Sequence, residues 1–183
     1  MVPATPCCDE PQYVGKDSRT SLNDQLVTNP DLLNSLVGVI MRFRLHAVAM
    51  IADIETMFLQ VRGIEKDQPS LRFLSRGPKR DRPPDVYHMQ AVIFGANSSP
   101  TSANYCLKKT AIDTKATCSE EAVSTVLRDF YMDDLLRSLP SEDEAAQLAL
   151  QLIELLSRGG FRLTKSMSNS QNVLAHPKDL AAI

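Results

Sequence analysis

The chain has 183 residues, 43% of them apolar, which is enough for one folded domain with a hydrophobic core. A formal net charge of −2 argues against a uniformly basic surface for nucleic acid. No apolar run approaches the ~18 residues that cross a bilayer, and the N-terminal stretch MVPATPCCDE lacks a signal-peptide pattern, so the sequence predicts an intracellular, cytoplasmic protein.

The N-terminal third of the chain predicts an irregular segment, a helix and a buried strand. Residues 1–28 are rich in Pro, Ser, Asp and Asn without periodicity, so an irregular segment is expected. Asn29-Pro30-Asp31 then supplies a cap, a first-turn proline and a first-turn acid, and apolar residues at helical spacing predict an amphipathic helix to about Leu45 that packs on a sheet. The apolar run 47–52 predicts a buried strand that ends at Asp53.

The middle of the chain predicts short strands followed by two helices. A second short strand is expected over residues 58–62, and strand pieces near 71–74 and 86–91 flank the loop GPKRDRPPD as a hairpin. Ser99 followed by Pro100 begins a helix to about residue 113, and Ser119 begins another to about residue 129.

The C-terminal third predicts a strand pair, a long helix and a returning strand. Residues 130–136 read as two strands with Asp133 and Asp134 at their turn. A capping box over 141–144 begins a helix that Gly159-Gly160 closes, and a strand over 161–165 precedes a loose tail. This order predicts an α+β fold, an antiparallel sheet with helices on one face, with a folded unit over 29–166 and a tail over 167–183.

A basic cluster stands out against the weakly acidic total. Arg72, Arg76, Lys79, Arg80 and Arg82 lie within twelve residues of one another. Such a cluster can follow a phosphate backbone, although a solvated charged loop is the more common explanation.

Three aspartates occupy positions that suit a metal site. Asp133 and Asp134 are adjacent at a predicted turn, and Asp53 ends a separate strand. Adjacent carboxylates repel one another and bind protons more readily unless a cation neutralises them. Oxygen-only ligands suit Mg²⁺ or Mn²⁺, and two such ions ~3.5–4 Å apart can stabilise both the attacking and the leaving oxygen of an in-line displacement.

The acid pair also has simpler explanations. Taken alone, Asp-Asp is more often a turn or a helix-capping device than a metal site. A receiver-type phosphoacceptor site would place the acidic pair early and the acceptor aspartate later, the reverse of the order here. The histidines His46, His88 and His176 show no ligand spacing, and no GxxxxGK[ST] phosphate loop is present.

The sequence around the acids carries three motifs in order. FYMDD (130–134) resembles the YxDD signature of reverse transcriptases, and ADIETMF (52–58) resembles their first palm motif, an aspartate followed five positions later by an aromatic residue. Between them, FGANSSP (94–100) resembles the second motif. The wider wording, from LNDQLVTNPDLL to GGFRLTKSMSNS, is similar to the reverse transcriptase of BEL/Pao LTR retrotransposons over roughly residues 20–172.

The resemblance implies a reverse-transcriptase palm with partial fingers and no thumb over residues 29–166. It implies an RNA-directed DNA polymerase, a nucleotidyltransferase in which Asp53, Asp133 and Asp134 ligate two Mg²⁺ or Mn²⁺ ions. The implied partners are an RNA/DNA template-primer and dNTPs, and the implied location is the cytoplasm or virus-like particles.

The resemblance also implies residues for the nucleotide. Ile54 and Glu55 fall where backbone amides face the incoming triphosphate. Phe58 falls at the steric-gate position, where an aromatic ring excludes a 2′-hydroxyl, and its alternative explanation is a core residue on a strand. Phe94 and Gly95 fall where the chain approaches nucleotide and template, and a glycine permits such a close approach.

Two further positions and several departures complete the comparison with that family. Tyr131 would lie near the primer end, and Lys165 is a candidate for the lysine that protonates pyrophosphate, with an exposed strand-end lysine as the alternative. The chain has no tryptophan where relatives carry one, and no thumb, RNase H or integrase follows Ile183. We therefore expect a fragment of a Pol polyprotein; the alternative is a truncated, catalytically inactive remnant that at most binds nucleic acid or a partner.

Overall fold

A four-stranded antiparallel sheet organises the protein. The structure, a computed structural model, describes residues 20–27, 30–78 and 81–175. Its strands are β1 (Val48–Ile54), β2 (Arg72–Ser75), β3 (Asp85–His88), β4 (Phe130–Tyr131), β5 (Asp134–Leu139) and β6 (Leu163–Ser168). Its helices are α1 (Leu22–Gln25), α2 (Leu36–Phe43), α3 (Met57–Gln60), α4 (Ser99–Asp113), α5 (Glu120–Arg128), α6 (Glu142–Arg158) and α7 (Gln171–Ala175), with a 3₁₀ helix over Glu65–Leu71.

Strand β1 lies inside the main sheet, whose order is β4-β5-β1-β6. Its antiparallel register with β5 runs from Val48 opposite Leu139 to Asp53 opposite Asp134. Strands β2 and β3 form a separate two-stranded sheet. The predicted α+β class with an antiparallel sheet and helices is therefore confirmed.

The core lies against one face of this sheet. Along β1 the buried residues alternate, at Val48, Met50, Ala52 and Ile54, so the residues between them lie on the opposite face. Helix α6 contacts β1, β5 and β6. Its buried leucines Leu148, Leu152, Leu155 and Leu156 join the same core as residues of α4 and α5, and each such side chain contributes roughly 1.5–3 kcal/mol by leaving water.

Several predicted elements are confirmed by the described residues. Helix α4 begins at Ser99 and ends at Asp113, and α5 begins after its cap Ser119, whose hydroxyl accepts from the Ala122 amide at 3.2 Å. Helix α6 begins after Ser141, whose hydroxyl accepts from the Glu144 amide at 3.3 Å. The hairpin around the GPKRDRPPD loop is formed by β2 and β3, although residues 79 and 80 lie outside the described part.

The helix expected from residues 29–31 begins later than predicted. Asp31 accepts a hydrogen bond from the Leu33 amide at 2.8 Å, which makes a local turn. Helix α2 begins at Leu36 after Ser35, whose hydroxyl accepts from the Gly38 amide at 3.4 Å. It contacts β5 and β4, as expected of a helix packed on the sheet. Asn29 lies outside the described residues.

The strand predicted over residues 58–62 is wrong. Thr56 adopts a left-handed conformation with φ 48°, which turns the chain away from the sheet, and helix α3 follows. Pairing resumes only at the Arg62–Ala91 bridge. Apolar residues over so short a span do not distinguish a strand from one helical turn.

The two ends of the described chain are more regular than predicted. Residues 1–19 and 28 lie outside the described part, but α1 stands within the segment expected to be irregular, with a capping box between Ser21 and Asp24. Strand β6 runs to Ser168 and α7 follows with Val173 buried, so the tail predicted over 167–183 is wrong for residues 167–175. No helix among the described residues is long and apolar enough to span a membrane.

Candidate functional site

Two of the predicted carboxylates face each other across the sheet. Asp53, near the end of β1, is the direct partner of Asp134, the first residue of β5. Side chains directly opposite each other in an antiparallel pair lie on the same face, and Asp53 alternates with the buried residues of β1, so this is the face away from the core. The sheet therefore brings together two acids that are far apart in the sequence.

The third carboxylate sits on the turn that joins β4 to β5. Its residue, Asp133, accepts a hydrogen bond from the Ile54 amide through its backbone carbonyl at 2.9 Å. That bond ties the tip of the hairpin to the end of β1. Asp133 is therefore fixed beside the facing pair by the backbone, while Tyr131 closes the hairpin opposite Asp134.

The electrostatics of Asp134 reflect this crowding. Partial burial and then repulsion by Asp133 and by Asp53 raise the pKa of the Asp134 carboxyl, and the Lys165 ammonium opposes that rise. The acidic end of the sheet thus favours an added positive charge, whether a proton or a metal ion.

Strained backbone surrounds the same end of the sheet. Among the described residues, the non-glycine positions with positive φ are Thr56 at 48°, Met132 at 55° and Lys165 at 51°. Thr56 lies three residues after Asp53, Met132 precedes Asp133, and Lys165 follows the β6 partner of Asp53. Such conformations cost about 1–3 kcal/mol each and tend to occur at functional sites.

Two cations pair with acidic residues at this end of the sheet. The Lys165 ammonium is 3.3 Å from Asp53 Oδ2, and the Arg162 guanidinium is 3.2 Å from Glu55 Oε2. Lys165, predicted only as a weak candidate, is thus placed at the acidic end of the sheet.

The three aspartates have the donor chemistry that Mg²⁺ or Mn²⁺ prefers, since all of their donor atoms are carboxylate oxygens. The raised pKa of Asp134 fits a site that a cation would stabilise. Within the described ranges, no three His, Cys, Asp or Glu side chains are already grouped as a metal centre.

The two amides that were predicted to face a triphosphate form hydrogen bonds within the fold. The Ile54 amide donates to the Asp133 carbonyl, and the Glu55 amide donates to the Arg162 carbonyl, both at 2.9 Å. These bonds tie the end of β1 to the β4–β5 turn and to the residue before β6. The role of Ile54 and Glu55 toward a triphosphate stays a prediction.

Residues predicted to contact the nucleotide form a second group beside β1. Phe58 is buried on α3 within the core, and Phe94 lies against it with ring centroids 4.7 Å apart, edge to face. Phe94 itself is exposed, and Gly95 follows with φ 82°, a conformation that favours glycine. The aromatic contact brings the turn after Phe94 next to the segment that leaves β1.

Asn23, which the sequence did not indicate, holds this turn. Its side-chain amide donates to the Gly95 carbonyl at 2.8 Å, and its side-chain oxygen accepts from the Asn97 amide at 3.0 Å. No local pattern could have revealed a contact over such a separation along the chain, and the segment around Asn23 was predicted to be irregular.

A buried ionic group lies next to the start of the β4–β5 hairpin. Asp129, immediately before β4, is 2% exposed and accepts from Arg42 of α2 at 2.7 Å and from Arg137 of β5 at 3.0 Å. Arg42 also donates to the Arg128 carbonyl, and Arg137 reaches Glu121 at 3.1 Å. The group joins α2, α5 and β5 at the base of the carboxylate hairpin.

Helix α4 supports the tip of the same hairpin. The buried Asn104 directs its amide at the sulfur of Met132, at 3.6 Å, while donating to the Pro100 carbonyl at 2.9 Å. Met132 holds one of the strained conformations, so this contact supports it.

Comparisons with known proteins add no relative: no protein-family model matches the chain, and no curated protein matches it significantly.

Proposed function

We propose that this chain is the palm of a template-directed nucleic-acid polymerase of the reverse-transcriptase class, with Asp53, Asp133 and Asp134 as ligands of divalent metal ions. The observation that supports the proposal is the cross-strand pairing of Asp53 with Asp134, locked by the bond from the Ile54 amide to the Asp133 carbonyl. The two motifs that resemble those of a polymerase palm, ADIETMF and FYMDD, thus carry acids that the sheet register places opposite each other.

The residues of the chain have distinct roles in this proposal. Bound Mg²⁺ or Mn²⁺ would supply activation of a primer hydroxyl and charge stabilisation in nucleotidyl transfer. The three carboxylates hold the cations, and the hydrogen bonds of Ile54 and Glu55 fix the backbones that carry them. The turn at Phe94 and Gly95, which is hydrogen-bonded by Asn23, contacts the dNTP. Tyr131 lies near the end of the primer.

A second candidate function is binding of nucleic acid without catalysis. Phe73 and Tyr87 on the β2–β3 hairpin are exposed and stacked, with centroids 5.5 Å apart. The exposed Arg76 follows the end of β2, and the exposed Arg72 alternates with Phe73 and so lies on the other face of the hairpin. Aromatic rings with neighbouring cations suit stacked bases and a phosphate backbone, so a catalytically inactive remnant could retain this surface.

Metal titration tests the proposed ligands directly. We expect Mn²⁺ to bind the purified chain, detected by calorimetry, and the double variant Asp133→Asn with Asp134→Asn to lose at least tenfold in affinity, because two charged donors become neutral amides. The matched control is Asp143→Asn with Glu144→Gln, another adjacent exposed acid pair, at the start of α6. Equal affinity in both double variants and the wild type would rule the ligand assignment out.

Primer extension separates the two candidate functions. On an RNA template with a DNA primer, the polymerase proposal expects incorporation of dNTPs that requires Mg²⁺ or Mn²⁺ and disappears in the Asp133→Asn, Asp134→Asn variant. A binding-only protein would shift the template-primer in a gel without extending it. Binding that survives the double variant but falls in Phe73→Ala would locate that affinity on the hairpin.

A further inference from the structure

The strand that carries Lys165 is irregular where it passes Asp53. Along β1 and β6, Ile51 pairs with Met167 but Asp53 pairs with Thr164, so β6 contains one extra residue in this interval. Lys165 lies within that interval with φ 51°. An inserted residue bends a strand and redirects a side chain that would otherwise follow the regular alternation.

The redirected side chain reaches the carboxylate site. The Lys165 ammonium lies 3.3 Å from Asp53 Oδ2, while 75% of the Lys165 side chain and 24% of the Asp53 side chain remain exposed. Thr164 holds the strand in place by donating its hydroxyl to the Asp53 carbonyl at 3.3 Å. The ammonium of Lys165 thus contacts Asp53 while most of the lysine side chain is exposed to solvent.

The neighbouring cation is engaged elsewhere. Arg162 pairs with Glu55 at 3.2 Å, and among the ion pairs of residues 20–27, 30–78 and 81–175 only that of Lys165 includes Asp53, Asp133 or Asp134. Among the described residues, Lys165 is therefore the one cation paired with any of the three aspartates, and its partner is Asp53.

Resting on the proposed function, we propose that Lys165 is a built-in counter-ion which occupies Asp53 in the metal-free protein and is displaced when a divalent cation binds. Its ammonium and the metal compete for the same carboxylate oxygen, so Lys165 lowers the affinity for metal and stabilises the free protein. The inserted residue in β6 gives the lysine this reach, and its exposed stem lets it swing into solvent.

Calorimetric titration with Mn²⁺ tests the competition on the full chain. Lys165→Met removes the ammonium and keeps much of the stem, so Mn²⁺ should bind roughly two- to fivefold more tightly, the effect of removing one largely exposed ion pair. Lys165→Arg should bind as the wild type does. Lys109→Met is the matched control, because it removes the same charge from an exposed lysine that pairs with Asp113 on α4.

Thermal unfolding gives an independent readout. In EDTA, Lys165→Met should melt below the wild type because Asp53 loses its counter-ion, and saturating Mn²⁺ should close that gap. A structural role for the lysine alone would leave the gap unchanged by Mn²⁺, and that result would overturn the proposal.

The outcomes separate this inference from the proposed function. Suppose that the wild type binds Mn²⁺ and that the double variant Asp133→Asn with Asp134→Asn binds it more weakly. If Lys165→Met then binds Mn²⁺ no more tightly than the wild type, the counter-ion role alone is overturned. Equal tightening by Lys109→Met would also overturn it, since net charge would then explain the change. Wild-type protein that binds no Mn²⁺ at all would overturn both.

Discussion

At the scale of single residues, the acidic end of the sheet carries an unfavourable arrangement that the rest of the fold holds in place. Asp134 faces Asp53 and adjoins Asp133, and Met132 beside them has a left-handed backbone. Natural proteins retain such repulsion and strain mainly where a ligand or a reaction uses them. The carboxylates are therefore expected to lower the stability of the protein in the absence of a bound cation.

The pH dependence of stability should reveal that cost. The pKa of Asp134 is raised in the folded protein, first by partial burial and then by Asp133 and Asp53. A raised folded pKa means that protonation favours the folded state, so the contribution is fully present below the unfolded pKa and is lost as pH rises through the folded pKa. Asp134→Asn should therefore raise the melting temperature at pH 7 in EDTA.

The same variant supplies its own control at low pH. Near pH 3 the wild-type carboxyl is protonated in both states, so the melting temperatures of Asp134→Asn and wild type should converge. A thermal melt followed by circular dichroism at both pH values checks this. A lower melting temperature for Asp134→Asn at pH 7 would contradict the repulsion inferred for the site.

At the scale of elements, the carboxylate hairpin depends on charges buried at its base. Asp129 is held by Arg42 and Arg137, which come from α2 and β5. Removing one partner of a buried ionic group leaves the others without compensation, which is far more harmful than losing an exposed pair. The elements around the hairpin should therefore respond sharply to changes at Asp129.

Asp129→Ala should lower the free energy of unfolding by at most about 3–5 kcal/mol, because Arg42 and Arg137 lose a buried carboxylate while their side chains stay 26% exposed and Arg137 keeps Glu121. Asp113→Ala is the matched control, since Asp113 pairs with Lys109 at 2.5 Å on an exposed face of α4. That exposed pair should contribute far less to stability. Urea unfolding measures both values, and similar losses in the two variants would contradict a special role for the buried group.

The close packing of α4 against the end of α6 leaves no room for a side chain at Gly159. A Cβ placed on Gly159 would lie 2.5 Å from Cγ2 and 2.9 Å from Cβ of Thr110. Gly159→Ala should therefore lower the free energy of unfolding by about 1–3 kcal/mol through overpacking. Combining it with Thr110→Ala should recover part of that loss, and strictly additive effects in a double-mutant cycle would contradict the clash.

The sequence predictions were correct where the residues that determine an element lie close together in the chain. Helices α5 and α6 were predicted correctly because Ser119 and Ser141 cap them within three residues. Asp53 was correctly expected toward the end of a strand and Asp133 at a turn. The register that sets Asp53 opposite Asp134 could not be read from either segment, since it depends on how two distant strands align.

The errors have equally specific causes. Thr56 adopts a conformation that β-branched residues rarely take, and no residue type around it signals the turn into α3. The extra residue near Lys165 follows from pairing with β1, and a single strand carries no mark of it. The Asn23 contact and the Asp129 group join residues far apart in the chain, which local patterns do not encode.

At the scale of the whole molecule, stability is unevenly distributed. Strand β1 pairs on both sides, with β5 and β6, and its buried face joins the main core. In the part of the chain that the structure describes, β2 and β3 pair with each other and with no other strand. Their large apolar side chains Phe73, Leu74, Val86 and Tyr87 are exposed. An isolated two-stranded hairpin is at best marginally stable in water.

Hydrogen exchange should separate these two regions. We expect amides of β1 and α6 to exchange only through global unfolding, whereas those of β2 and β3 exchange through local opening with much lower protection. Exchange followed by mass spectrometry at increasing urea distinguishes the two routes. Equal protection of the hairpin and β1 would contradict the division.

The two hydrogen bonds between Asn23 and the turn formed by Gly95 and Asn97 have a consequence for a protein shortened at its N-terminus. A shortened protein starting at residue 30 would keep every strand of the sheet and all three aspartates. The turn after Phe94 would nevertheless lose both hydrogen bonds to Asn23. The melting temperature of the shortened protein should stay close to that of the parent, while the nucleotide binding that we propose for this site should weaken. Trimming this stretch as a dispensable leader would thus damage the site without unfolding the protein.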